Sequence, residues 1–179
     1  TGVVTVKSVT QKYVSRGAYK LEKALQTFGL EVEHRVCLDA GASTGGFTDL
    51  MLQSGARLVY AVDVGYGQLA WKIRQDSRVM VFERQNVRYF ERQAIPELPS
   101  LITADLSFIS LRLLLGKFAE LLLPGGDLVT LIKPQFEAGR ERVGKKGVVR
   151  DPEVHRDVLK TLSEDALKSG WTLKNLTFS

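Results

Sequence analysis

Several residues with chemical capacity fall where short apolar runs end. The run RVCLD (35–39) passes into Asp39-Ala40-Gly41-Ala42-Ser43-Thr44-Gly45-Gly46-Phe47, a glycine-rich turn after an acid. Glycines there let the backbone turn tightly and approach a ligand where a Cβ would clash. The loop lacks the G-x-G-x-x-G of a dinucleotide site. It resembles a phosphate-binding P-loop only as Gly41-x-x-x-x-Gly46-Phe47-Thr48, with Phe in place of the required Lys. An apolar ring cannot neutralise phosphate charge, which argues against a nucleotide triphosphatase. A second run, LVYAVD, ends at Asp63, an acid suited to hydrogen-bond both hydroxyls of an adenosyl ribose. Asn86 follows the third run and has a side-chain amide able to read an adenine edge. The fourth run ends at Asp105 and the fifth at Lys133.

The elements that must position these residues alternate. Strands are expected at 35–39, 58–63, 79–82, 101–104 and 128–132, with a sixth at 171–178. Helices are expected at 18–28, 48–53 and 111–123, and from 152 to a stop at Ser169-Gly170, with Asp151 as N-cap and Pro152 in the first turn. This alternation predicts an α/β fold with a mostly parallel twisted sheet and helices on both faces. In such a sheet ligands bind beyond the carboxyl ends of the strands, the edge on which these residues fall.

The chain has 179 residues, 44% of them hydrophobic, enough for one domain with a sizeable core. No apolar stretch approaches the roughly 18 residues of a membrane span. A single cysteine, Cys37, excludes an internal disulfide and suits a reducing cytoplasm; mid-strand, it reads as core. His34 and His155 have no Cys or His partner at ligand spacing, so no metal site is expected. Trp71 and Trp171 are expected to pack in the core or on its rim. The formal net charge is +5, and its location matters more than its size. Residues 1–23 hold Lys7, Lys12, Arg16, Lys20 and Lys23 against Glu22; residues 139–150 hold Arg140, Arg142, Lys145, Lys146 and Arg150 against Glu141. Removing both segments leaves 15 basic against 18 acidic residues. Two basic patches on a mildly acidic body are either solvated surface or the footprint of a polyanion. The second patch, threaded with Gly139, Gly144 and Gly147, suits a flexible lid over an RNA backbone, or a disordered surface loop.

Five stretches carry a family resemblance: YVSRGAYKL (13–21), LDAGASTGGFT (38–48), VDVGYGQL (62–69), ADLSFIS (104–110) and IKPQFE (132–137). In this order they resemble the TlyA family, whose members are described both as haemolysins and as ribosomal RNA methyltransferases and whose core is FtsJ-like. The resemblance covers nearly the whole chain from Tyr13. It implies a Rossmann-like fold that binds S-adenosylmethionine (SAM), and methylation of a ribose 2′-hydroxyl of ribosomal RNA, with cytidine as the nucleotide, in the cytoplasm. The family's Lys-Asp-Lys-Glu pattern falls on Lys20, Asp105 and Lys133; its final Glu and last strand lie beyond Ser179, and its N-terminal S4-type RNA-binding domain lies before residue 13. Residues 1–12 are therefore expected to be a linker or a remnant of that module, and residues 13–179 a C-terminally incomplete methyltransferase domain.

The cofactor residues so implied are Asp39, Gly41, Ser43, Gly45, Gly46, Phe47, Asp63, Val64, Asn86 and Asp105. Phe47 packs either under the ligand or against the sheet. RNA contacts are expected from Arg16, Lys20, Arg140, Arg142, Lys145, Lys146 and Arg150. A lysine can take the proton of a ribose hydroxyl only as the neutral amine, a form that desolvation and neighbouring cations favour. Lys133 is the candidate base, Lys20 its neighbour and orienter of the hydroxyl, and Asp105 the group that holds Lys133 and helps position the methyl donor. Two other functions are open: a SAM- or RNA-binding module without catalysis, and a membrane-acting haemolysin, for which the sequence offers no span and no long cationic amphipathic helix.

Overall fold

A computed structural model describes residues 11–179. The expectation for residues 1–10, most of the anticipated linker, lies outside the described residues. Five strands form one sheet: β1 (Val36–Ala40), β2 (Leu58–Val62), β3 (Val79–Phe82), β4 (Leu101–Ala104) and β5 (Asp127–Thr130). All pairings are parallel, in the order β3-β2-β1-β4-β5. The chain winds outward from β1 to β3, then returns to the other side of β1 with β4. The strand order therefore reverses between β1 and β4, where a crevice opens at the carboxyl edge.

Alternation along each strand sends side chains to two cores. On one face Cys37, Val59, Ala61 and Leu101 pack with α1 (Ala18–Phe28) and α2 (Gly46–Gln53) through Leu21, Leu25, Leu50 and Met51. The short α3 (Trp71–Arg74) adds Ile73 to this core. On the other face Leu38, Tyr60, Val62 and Ile102 pack with α4 (Leu115–Leu121) and α6 (Pro152–Lys168) through Phe118, Leu121 and Leu162. Gly29, at φ +62°, ends α1 as a left-handed cap. Asp151 caps α6 as expected, its carboxylate accepting from the Glu153 N–H at 2.9 Å. Between β5 and α6 lie α5 (Pro134–Glu137) and a 3-10 turn, Arg140–Arg142.

Three expectations need correction. Residues 171–178 form no strand: Trp171 packs against the α4–α6 core and donates its indole N–H to the Leu115 carbonyl at 3.1 Å, while Leu173, Leu176 and Phe178 are exposed. An alternating pattern makes a strand only where a neighbour supplies the hydrogen bonds. The helix expected over 111–123 breaks into a 3-10 turn, Leu111–Leu113, and α4, because Ser110 caps the turn by accepting from the Arg112 N–H. Trp71 is 70% exposed, since four-residue α3 turns only Ile73 inward. Among the described residues no helix is long and apolar enough to cross a membrane.

Candidate active site

Three ionisable side chains from distant parts of the chain meet at the β1–β4 crevice. Asp105 follows β4, Lys133 follows β5, and Lys20 reaches over from the first turns of α1. Lys133 Nζ lies 2.6 Å from Asp105 Oδ1 and donates to Ser107 Oγ at 3.0 Å. Lys20 Nζ lies 3.1 Å from Asp105 Oδ2. The Lys133 contact is ionic rather than a well-aligned hydrogen bond, because Asp105 Oδ1 has no partner in hydrogen-bonding geometry. Burial pushes the Asp105 carboxyl up, but the two ammonium groups outweigh it and hold the acid below its ordinary value. One carboxylate thus serves two cations, and the trio carries an excess positive charge.

The glycine-rich turn fits around this trio. Gly41 has φ +85°, and a Cβ there would lie 2.8 Å from the Asp105 carbonyl oxygen. At Gly46 a Cβ would strike Ser15 and come within 3.1 Å of the Ala18 nitrogen, so this glycine lets α2 close against the start of α1. The tight approaches at these two glycines are to the protein itself, where the sequence suggested a ligand. Asp39 is fully buried under the turn, with Thr48 Oγ1 donating to its carboxylate at 2.7 Å. Burial pushes its carboxyl up to about 7. Its side chain lies on the α2 face of the sheet and not in the crevice. Phe47 is 6% exposed and packs in the α1–α2 core, against the sheet.

Asp63 sits at the β2 end and bridges two loops: Oδ2 accepts from the Ser43 N–H at 2.8 Å and Oδ1 from the Gly65 N–H at 2.7 Å. Ala42, Ser43, Asp63, Gly65, Gln68 and Glu83 line a shallow concavity over the ends of β1, β2 and β3. Val64, next in the chain to Asp63, is exposed. Asn86 is exposed, but its Oδ1 caps a 3-10 turn by accepting from the Arg88 N–H at 3.0 Å. A larger cavity of about 570 Å³ lies along the outer side of β5, lined by residues 122–129 and 169–175 and apart from these groups.

Of the expected polyanion contacts, Arg16, Arg140, Lys145, Lys146 and Arg150 are exposed. Arg142 is also exposed but pairs with Asp157 at 2.6 Å. The segment is more anchored than a flexible lid: Val149 packs with Val154 and Val158, and His155 Nε2 lies 2.8 Å from the Val149 carbonyl. Lys145 and Lys146 project from a turn closed by the Gly147 N–H to the Gly144 carbonyl.

Sequence reasoning quoted but did not assign Ser107, Phe108 and Glu137. Phe108 is 90% exposed at φ +64°, its ring centroid 5.2 Å from that of Phe136. Only its place in the run ADLSFIS could have drawn attention to it, because exposure is invisible in sequence.

With this geometry in place, comparison with known proteins gives a consistent picture. The model of the FtsJ-like methyltransferase family matches residues 13–179. YqxC of Bacillus subtilis is 55% identical over 98% of this chain and 63% of its own length. The 16S/23S rRNA (cytidine-2′-O)-methyltransferase TlyA of Mycobacterium tuberculosis is 47% identical over 96% of this chain and 64% of its own. The solved structure of a candidate hemolysin from Streptococcus thermophilus, 53% identical, superposes with a TM-score of 0.90 over 94% of this chain and 62% of that one. The chain thus spans less than two thirds of the length of these relatives.

Proposed function

The chain belongs to the FtsJ-like methyltransferase family, and from that premise we propose that it transfers a methyl group from SAM to a ribose 2′-hydroxyl of ribosomal RNA. The observation that carries the proposal is the meeting of Lys20, Asp105 and Lys133 on the edge that also holds the Asp63 concavity. Cytidine as the nucleotide follows from the name of the M. tuberculosis relative. A ribosomal RNA substrate also implies a cytoplasmic protein.

The residues present fit SAM. Asp63 keeps both carboxylate oxygens at the rim of the concavity, each already oriented by a backbone amide and with a lone pair left for a ribose hydroxyl. Ser43 and Gly65 border the same space, with Gly41 and Gly45 shaping the turn beside it, while Val64 and Asn86 follow the ends of β2 and β3. When bound, SAM supplies an electrophilic methyl group on a positively charged sulfur.

The remaining chemistry belongs to the chain. Lys133 accepts the proton of the 2′-hydroxyl as that oxygen becomes a nucleophile. Two ammonium groups share one carboxylate, so loss of a proton from Lys133 leaves a neutral Lys20–Asp105 pair beside a free amine. Proximity to a further positive charge works in the same direction. Lys20 orients the hydroxyl, and Asp105 holds both lysines. Exposed Phe108 offers a face on which the acceptor base can stack. Arg16 and the basic turn at Lys145–Lys146 take phosphates on either side.

Methyl transfer from labelled SAM to ribosomal RNA tests the proposal, alongside calorimetric titration with S-adenosylhomocysteine. Lys133→Ala should bind S-adenosylhomocysteine like the parent and transfer nothing, whereas Asp63→Ala should lose the binding. An active Lys133→Ala protein would overturn the assignment of the base.

A further inference from the structure

Two loops end at the crevice, and they are joined at three levels. The loop after β4 (105–110) carries Asp105, Ser107 and Phe108; the segment after β5 (133–137) carries Lys133 and forms α5. At the inner level Lys133 contacts Asp105 and Ser107. At the middle level the rings of Phe136 and Phe108 meet. At the outer level Glu137 uses both carboxylate oxygens: Oε2 accepts from Ser110 Oγ at 2.6 Å and Oε1 from the Leu111 N–H at 2.8 Å.

We infer that Glu137 is a positioning residue for methyl transfer, its carboxylate tying the 105–110 loop to α5 so that Asp105, Ser107 and Phe108 are held facing Lys133. The inference rests on the methyl-transfer reading of the site. Phe108 is why a tie is needed. Its backbone sits at φ +64°, where L residues are disfavoured, and its ring is 90% exposed, so its own burial cannot hold it there. Such a conformation persists only where the surroundings over-determine it. Leu111, 4% exposed, anchors the far end of the loop in the α4–α6 core, and Leu106 and Ile109 lie partly buried against the same core. Those contacts keep the loop folded; the two Glu137 hydrogen bonds fix its position relative to the strand that delivers Lys133. A carboxylate suits the task because both oxygens accept, and both donors here are an O–H and an N–H. Glutamine keeps the Leu111 bond through its carbonyl but reaches Ser110 only as a donor, with the hydroxyl turned to accept, and so exchanges a charged contact for a neutral one.

The test is hydrogen exchange of the whole chain, read by mass spectrometry, for the parent, Glu137→Gln, Glu137→Ala and Ser110→Ala, with methyl transfer and S-adenosylhomocysteine binding measured in parallel. Glu137→Ala should speed exchange over 106–111, through the Leu111 amide that donates to Glu137, by about tenfold at that amide while β1 and β2 stay protected. Ser110→Ala, which keeps the Leu111 contact, should fall between, and Glu137→Gln, which weakens the Ser110 contact without removing it, should lie nearer the parent. Turnover with ribosomal RNA should drop by roughly ten- to a hundredfold in Glu137→Ala, since a small misplacement of reacting groups is enough. Affinity for S-adenosylhomocysteine should fall far less than turnover, because Glu137 is not among the residues that line the Asp63 concavity. Unchanged exchange over 106–111, or turnover equal to the parent's, overturns the inference. So does loss of protection across the whole sheet in Glu137→Gln and Ser110→Ala, which would mark a general structural role. If the parent itself transfers no methyl group, the methyl-transfer reading falls, while the exchange data still decide whether Glu137 ties the loop.

Discussion

Replacing Asp39 with Asn removes a titratable group from a place that has no access to water, and the consequence for stability has a definite pH dependence. Burial is the main cause of the raised value of about 7, with the negative charge of Asp105 adding to it; hydrogen bonds from Thr48 and Thr103 oppose it. In the unfolded chain the same group titrates near 3.9. Between these values the folded state holds a proton that the unfolded state has released, so the unfolded state binds fewer protons and stability falls as pH rises. The slope is roughly 1.4 kcal/mol per pH unit for one group. The contribution is intact below about pH 4, is lost progressively up to about pH 7, and is flat beyond. The span of about 3 units corresponds to ~4 kcal/mol. Asn has the same shape, and its carbonyl oxygen can still accept the Thr48 hydroxyl at the 2.7 Å seen for Asp39. Asp105 and Asp127, whose values are lowered, contribute slopes of opposite sign in both proteins, and these cancel in the difference. Urea denaturation of parent and Asp39→Asn at pH 5, 6 and 7 should therefore show the variant gaining on the parent by about 2–3 kcal/mol over the range. Parallel pH profiles would refute the claim that a buried, proton-holding Asp39 lies under the turn. Because its side chain is outside the crevice, the variant should also bind S-adenosylhomocysteine normally.

Gly41→Ala should cost about 2–4 kcal/mol in urea denaturation, from the left-handed backbone and a Cβ against the Asp105 carbonyl, and should lower methyl transfer by displacing Asp105. A variant within about 0.5 kcal/mol of the parent would show that the turn is looser than described. Phe108→Ala should leave thermal stability within about 0.5 kcal/mol, given its exposure, and weaken RNA binding by about 1–3 kcal/mol in a filter-binding assay. Unchanged binding would remove Phe108 from the RNA surface. The double variant Lys145→Ala/Lys146→Ala should make RNA affinity less steep in salt, reducing the log–log slope by about 1.4 for two lost phosphate contacts. An unaltered slope would return these lysines to the solvated surface.

Which parts of this molecule were legible in its sequence follows from the range of the forces involved. Strands β3 and β4 begin and end where the apolar runs do, and the strand ends delivered Asp63, Asp105 and Lys133 to one edge because a parallel sheet leaves no other place for them. Local rules also located the Asp151 cap and the bounds of α1. Long-range contacts were not legible. The pattern at 171–178 alternates like a strand, yet pairing depends on a neighbour that spacing cannot supply. The glycines at 41 and 46 were recognised as points of close approach, but what approaches them, Asp105 and the start of α1, is set by tertiary packing. The same limit governs the chemistry. Motif order can name Lys20, Asp105 and Lys133 as a set, but not that one carboxylate lies between two ammonium groups, one on each oxygen. That arrangement changes the role of Asp105. An acid paired with a single lysine would simply hold that lysine charged. An acid shared between two leaves one positive charge in excess, with one lysine and Asp105 balanced as a neutral pair. In the proposed reaction the loop that keeps Asp105 between the lysines therefore matters as much as the amine of Lys133, because it sets which charges surround that amine.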